Sequence, residues 1–116
     1  MSETEALQLG EQLYAVNCAP CHRANGEGNL NHFPALNHNA FVTAQSPQPL
    51  IRTVLHGRGV MPAFYPTLNS SEIAAVLSYI RQAWSNDAAP ITAAQVREVA
   101  NESNNREEVG QTPQQP

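Results

Sequence analysis

The chain contains no lysine, and its six arginines stand against ten acidic residues for a formal charge of −4 over 116 residues. No dense basic cluster of the kind nucleic-acid backbones favour is present, so nucleic acid is not an expected partner. No apolar run approaches the roughly 18–20 residues of a membrane span. Large aromatics are scarce, with one Trp, three Tyr and three Phe. A core built from these alone is thin for the length, and small domains often rely on a staple or a cofactor. The start, Met1-Ser2-Glu3-Thr4-Glu5, is acidic and polar and lacks the features of a signal peptide.

The charge that is present is unevenly placed. Residues 1–22 carry Glu3, Glu5 and Glu11 with no base. Residues 23–84 carry Arg23, Arg52, Arg58 and Arg81 against Glu27 and Glu72, and the chain turns acidic again from Ser85. We expect one domain over residues 1–85, followed by a tail over 86–116.

Hydrophobic spacing points to helices throughout. Ala6, Leu9, Leu13 and Val16 recur at three- and four-residue steps over residues 3–17. Gly10 interrupts that helix at a cost of about 1 kcal/mol relative to Ala, which makes sense where a second helix crosses closely. Ser46-Pro47-Gln48-Pro49 reads as a helix start, with Ser46 as cap and Pro47 in the first turn. Leu50, Ile51, Val54 and Leu55 form its stripe and Gly57 its end. A third helix opens on Asn69 with Glu72 three residues on, and Ile73, Val76, Leu77, Ile80 and Trp84 line it. Thr92 and Gln95 form a capping box for a short helix over about 93–101, and from Glu102 onward the composition predicts disorder. Between these elements, residues 32–45 lack periodicity but keep Phe33, Leu36, Phe41 and Val42, so this stretch is expected to wrap a site.

Cys18-Ala19-Pro20-Cys21-His22 carries the chemistry. Cys-x-x-Cys-His is the attachment motif for c-type haem. Two intervening residues let both sulfurs reach the vinyl positions along one haem edge, and the adjacent imidazole then falls under the iron. Three other readings compete. A redox dithiol sits between a strand and a helix, whereas this motif follows a helix and precedes a loop. Zinc wants four ligands, and His32, His38 and His56 lack the paired spacing. A disulfide between cysteines so close closes a strained ring.

From Gly10 to Trp84 the chain resembles a class I c-type cytochrome of the bacterial kind. The resemblance rests on Gly10, Tyr14, the Cys-x-x-Cys-His motif, Phe33-Pro34-Ala35-Leu36, Gly57-Arg58-Gly59-Val60-Met61-Pro62, and the helix with Tyr79 and Trp84. It implies an all-α fold of three main helices packed around one covalent haem c. It also implies His22 and Met61 as the axial iron ligands, with the Pro34 carbonyl accepting from the His22 ring. Histidines 32, 38 and 56 are the rivals for the sixth position. Arg52 and Arg58 are candidates to pair with haem propionates, since Arg binds carboxylates bidentately; a solvated arginine is the competing reading for each.

The expected function is one-electron transfer, with no catalysis by the domain itself. It would be the domain or subunit through which electrons enter a larger periplasmic oxidoreductase, paired with a redox partner protein or a fused catalytic domain. The alternatives are a free periplasmic shuttle, or a sensor or peroxidase with a displaceable Met61. Covalent haem attachment outside the cytoplasm implies a leader that this chain does not show.

Overall fold

Ser2 opens the first helix. Its hydroxyl accepts from the Glu5 N–H at 3.1 Å and its own N–H donates to the Glu5 carboxylate at 2.8 Å, a reciprocal capping box. These bonds also hold the Glu5 carboxyl below its usual pKa. The computed structural model describes residues 2–29 and 32–110, with side chains to residue 102. Five helices follow in order: α1 Glu3–Asn17, α2 Ala19–His22, α3 Gln48–His56, α4 Ser70–Gln82 and α5 Ala93–Gly110. Among the described residues there is no strand, only the isolated bridges Asn29–Phe33 and Arg58–Met61.

α4 is the central element, with Ile73, Ala74, Val76, Leu77 and Ile80 all buried. Its Asn69–Glu72 box forms as the spacing predicts, each group bonding the other's backbone at 2.8 Å. α1 crosses one side of α4, while α5 packs against both α3 and α4. Burying each Ile or Leu of such a core contributes about 1.5–3 kcal/mol.

The α1 face differs from the expected stripe. Gly10 and Tyr14 are buried, Leu13 is half-buried, and Val16 is 73 % exposed. The crossing at α4 decides this, because a methyl group at Gly10 would overlap the Ala75 carbonyl and sit 2.9 Å from Tyr79 Cβ. Gly10→Ala is therefore expected to cost about 1–3 kcal/mol through overpacking, read as a lower denaturant midpoint at constant slope. A midpoint equal to wild type would show that the two helices can separate freely.

Three boundaries also move. α3 starts at Gln48 with Pro47 at the cap position, and Ser46 makes no cap bond; Pro49 occupies the first turn instead. Trp84 lies beyond the end of α4 in a left-handed conformation, φ 55°. α5 runs past residue 101 to Gly110, since no proline interrupts it and Glu, Gln and Arg tolerate helix well. The Thr92–Gln95 box opens it at 2.8 and 3.1 Å. Ile91, Val96, Val99 and Ala100 enter the common core. Of the stretch expected to be disordered, residues 111–116 lie outside the described residues.

Candidate functional site

The Cys-x-x-Cys-His motif is a single helical turn. The N–H groups of Cys21 and His22 both donate to the Cys18 carbonyl, at 3.1 and 2.9 Å. Positions three and four apart share a helix face, so Cys18, Cys21 and His22 point the same way. All three line one cavity of about 640 Å³. Both thiols are free, Cys18 half-buried and Cys21 exposed. Burial, and then the neighbouring Cys21, push the Cys18 thiol up to about 11, so at neutral pH it is protonated in the protein alone.

The His22 ring is fixed from behind. Its Nδ1 lies 2.9 Å from the Pro34 carbonyl oxygen, an atom that can only accept. Nδ1 is therefore the donor in this bond, which leaves Nε2 as the ring nitrogen turned to a metal when the neutral ring binds one. The segment bearing Pro34 is held by paired Asn29–Phe33 backbone bonds of 2.9 Å and by Gly28 N–H donating to the His22 carbonyl at 2.9 Å. Gly28 has φ 65°, and a Cβ there would come within 2.6 Å of the Pro34 oxygen, so only glycine lets these segments approach. The loop after the motif is braced as well. Tyr14 Oη donates to Arg23 O at 2.6 Å and Trp84 Nε1 donates to Ala24 O at 3.0 Å.

Met61 reaches the same cavity from a different element. Gly57, at φ 79°, ends α3, and the chain reverses in a tight turn in which Arg58 and Met61 exchange backbone bonds of 3.0 and 2.9 Å. The turn is tied to α3 by the Phe64 N–H donating to the Val54 carbonyl at 3.1 Å. Leu50, Thr53 and Val54 form the α3 wall, at the one-turn spacing of a single face.

That spacing also decides the two arginines. Arg58 lines the cavity, but Arg52 does not. Arg52 lies on the other side of α3 from Leu50, Thr53 and Val54, and its Nη2 sits 3.5 Å from the Glu102 carboxylate. Among the histidines, His32 lines the cavity beside Phe33, on the segment that carries Pro34, whereas His38 and His56 are absent from the lining. The wall contributed by Asn39, Phe41 and Val42 was foreshadowed only as a wrapping loop. Asn39 shapes it, since its Oδ1 accepts from the Phe41 and Val42 N–H groups at 2.8 and 3.2 Å.

A mostly apolar cavity within the usual ~300–1,000 Å³ of cofactor sites, with two thiols, an imidazole and a thioether on its walls, fits a haem. The competing zinc reading lacks ligands, because among the described residues no group of three or more His, Cys, Asp or Glu side chains is placed to hold a metal ion.

Comparison with known proteins agrees with that chemistry. Residues 5–80 match the family described as cytochrome c oxidase, cbb3-type, subunit III. The chain is a c-type cytochrome. This cytochrome is 35% identical over 100 residues to the cytochrome c subunit of a quinone alcohol dehydrogenase from Gluconacetobacter polyoxogenes. The match covers 75% of the cytochrome and 21% of that subunit, so it spans about a fifth of the dehydrogenase relative's length. It is also 33% identical over 73 residues to cytochrome c6 of Leptolyngbya boryana, covering 61% of this chain and 85% of that one. The crystal structure of cytochrome CL from Methylophaga aminisulfidivorans shares the fold, with a TM-score of 0.62 at 24% identity over 90% of this chain and 70% of the other. Like its family, this cytochrome carries covalently bound haem c and works in electron transfer rather than as an enzyme in its own right. None of its described helices is long and apolar enough to cross a membrane.

Proposed function

We propose that Cys18 and Cys21 hold the haem as two thioethers and that His22 and Met61 are its axial ligands. The observation that carries this reading is the His22–Pro34 hydrogen bond, which engages Nδ1 and leaves Nε2 for the iron on a cavity wall shared with Met61. Bound haem supplies a one-electron couple at iron. The Pro34 carbonyl orients His22 and raises its basicity, and the Met61 thioether favours the reduced state. With His22 and Met61 both holding the iron, substrates would be kept off it and electrons would pass at the cavity mouth. Exposed Val60 and Pro62 offer a small apolar contact there, and Arg58 is placed to meet a propionate.

Within that role, we read the cytochrome as the domain through which electrons enter a larger periplasmic oxidoreductase. Support comes from the dehydrogenase subunits of Gluconacetobacter and from the fructose dehydrogenase cytochrome subunit of Gluconobacter japonicus, 30% identical over 104 residues. The free-shuttle reading draws on cytochrome c6, most of whose length is matched. Stopped-flow mixing of the oxidised cytochrome with the catalytic subunit of a quinone alcohol dehydrogenase and its alcohol separates the two. Haem reduction within the turnover time supports the oxidoreductase reading. Absence of reduction over many turnovers, with fast exchange to small soluble carriers, supports the shuttle.

A further inference from the structure

Arg81 lies near the end of α4 and is only 2 % exposed. Its partners are three backbone carbonyls on two other segments. Nη1 donates to Val42 O at 3.0 Å and to Ala44 O at 2.8 Å, and Nε donates to Ala89 O at 2.8 Å. Among the described residues no carboxylate reaches it, and the single ion pair is Arg52–Glu102. Burial lowers its pKa, yet a guanidinium starts so high that it stays charged. Neutral amide donors bond carbonyls without the desolvation penalty of a buried charge. Asn86 does this close by, donating to Leu36 O at 3.0 Å and Ile80 O at 2.9 Å. Tying loops together therefore accounts for the hydrogen bonds of Arg81 but not for its charge.

Its location accounts for the charge. Val42, whose carbonyl takes one of these bonds, lines the haem cavity together with Leu36, Asn39 and Phe41. The guanidinium is thus bonded directly to a residue of that wall without itself lining the cavity. Reduction adds one electron to the haem, so a fixed positive charge nearby stabilises the reduced form. In a buried setting this attraction acts at an effective dielectric near ~20 rather than ~80 and is weakly screened by salt.

We propose that Arg81 is a positioning residue for the haem wall and that its uncompensated charge raises the reduction potential of the iron. The proposal rests on the haem occupying the cavity described above. Spectroelectrochemical titration and denaturant unfolding of the haem-loaded wild type, Arg81→Lys and Arg81→Gln test both halves. Arg81→Gln is expected to lower the ratio of reduced to oxidised haem at fixed solution potential by about tenfold, or about 59 mV for one electron. Arg81→Lys keeps the charge and is expected to hold the wild-type potential. Both variants lose the three-carbonyl brace and should unfold at lower denaturant, with the Met61 sulfur-to-iron band retained. A lysine variant whose potential falls as far as that of glutamine, or a glutamine variant with wild-type potential, overturns the electrostatic role. Unchanged unfolding midpoints in both overturn the brace.

If Arg81→Gln does not assemble, Arg81→His carries the same comparison within one protein. Its potential should fall more steeply than that of wild type as the imidazole loses its proton, and parallel curves overturn the idea. A wild type without covalent haem would instead refute the haem placement itself.

Discussion

A Cys18→Ser/Cys21→Ser double variant is expected to accumulate without haem and to lose cooperative folding. The cavity of about 640 Å³ is bounded by Leu50, Val54, Phe64, Phe41, Val42 and Leu36. Losing the haem would expose this apolar wall to water at about 25 cal/mol per Å² of apolar surface. Whole domains are stable by only ~5–15 kcal/mol, so such a loss is large against the total. The haem therefore completes the core that the few aromatics leave thin. Absorbance after acid–acetone extraction reads covalent attachment, and far-UV and near-UV dichroism during urea titration read folding. Wild type should retain its haem through extraction and unfold in one transition. A haem-free double variant with native near-UV dichroism and a sharp urea transition would show that the helices close the cavity on their own.

Met61→Ala is expected to have the second largest effect. Among the described residues the thioether is the one soft donor on the cavity wall besides the two cysteines, and the Arg58–Met61 backbone pair holds it in a tight turn. Removing it should abolish the weak sulfur-to-iron charge-transfer band of the oxidised protein. Because thioether ligation favours ferrous iron, the potential should also fall, shifting the reduced-to-oxidised ratio by at least about tenfold, or about 59 mV. The vacated position should admit carbon monoxide to the reduced protein faster than in wild type. His32→Ala and His56→Ala serve as controls and should leave the band intact. Persistence of the band in Met61→Ala, or its loss in either histidine variant, would remove Met61 as ligand. Rapid carbon monoxide binding to the reduced wild type would favour the sensor reading.

Part of this site was legible in the linear order of residues. Cys18, Cys21 and His22 fall on one helix face because a single turn sets their spacing. Gly28 and Pro34 were harder, since their meaning depends on two loop segments lying side by side. Arg52 and Arg58 looked equivalent as propionate partners, and only the orientation of α3 separates them. Arg81 sat in an amphipathic stretch like any solvated arginine. Nothing local announces that two distant loops will offer it their carbonyls.

The sequence by itself determined the local features. These are the haem-attachment turn, the Asn69–Glu72 and Thr92–Gln95 boxes, the stop at Gly57 and the need for close approach at Gly10. Each depends on groups within about one helical turn or on the absence of a side chain. Tertiary structure alone decided which α1 face is buried, how α5 joins the core, and which arginine lines the cavity. It also decided the left-handed Trp84 and the buried charge of Arg81. Those outcomes depend on contacts between distant residues, including pairs 60 or more positions apart such as Trp84 with Ala24 and Gly10 with Tyr79. Periodicity within one segment carries no record of them.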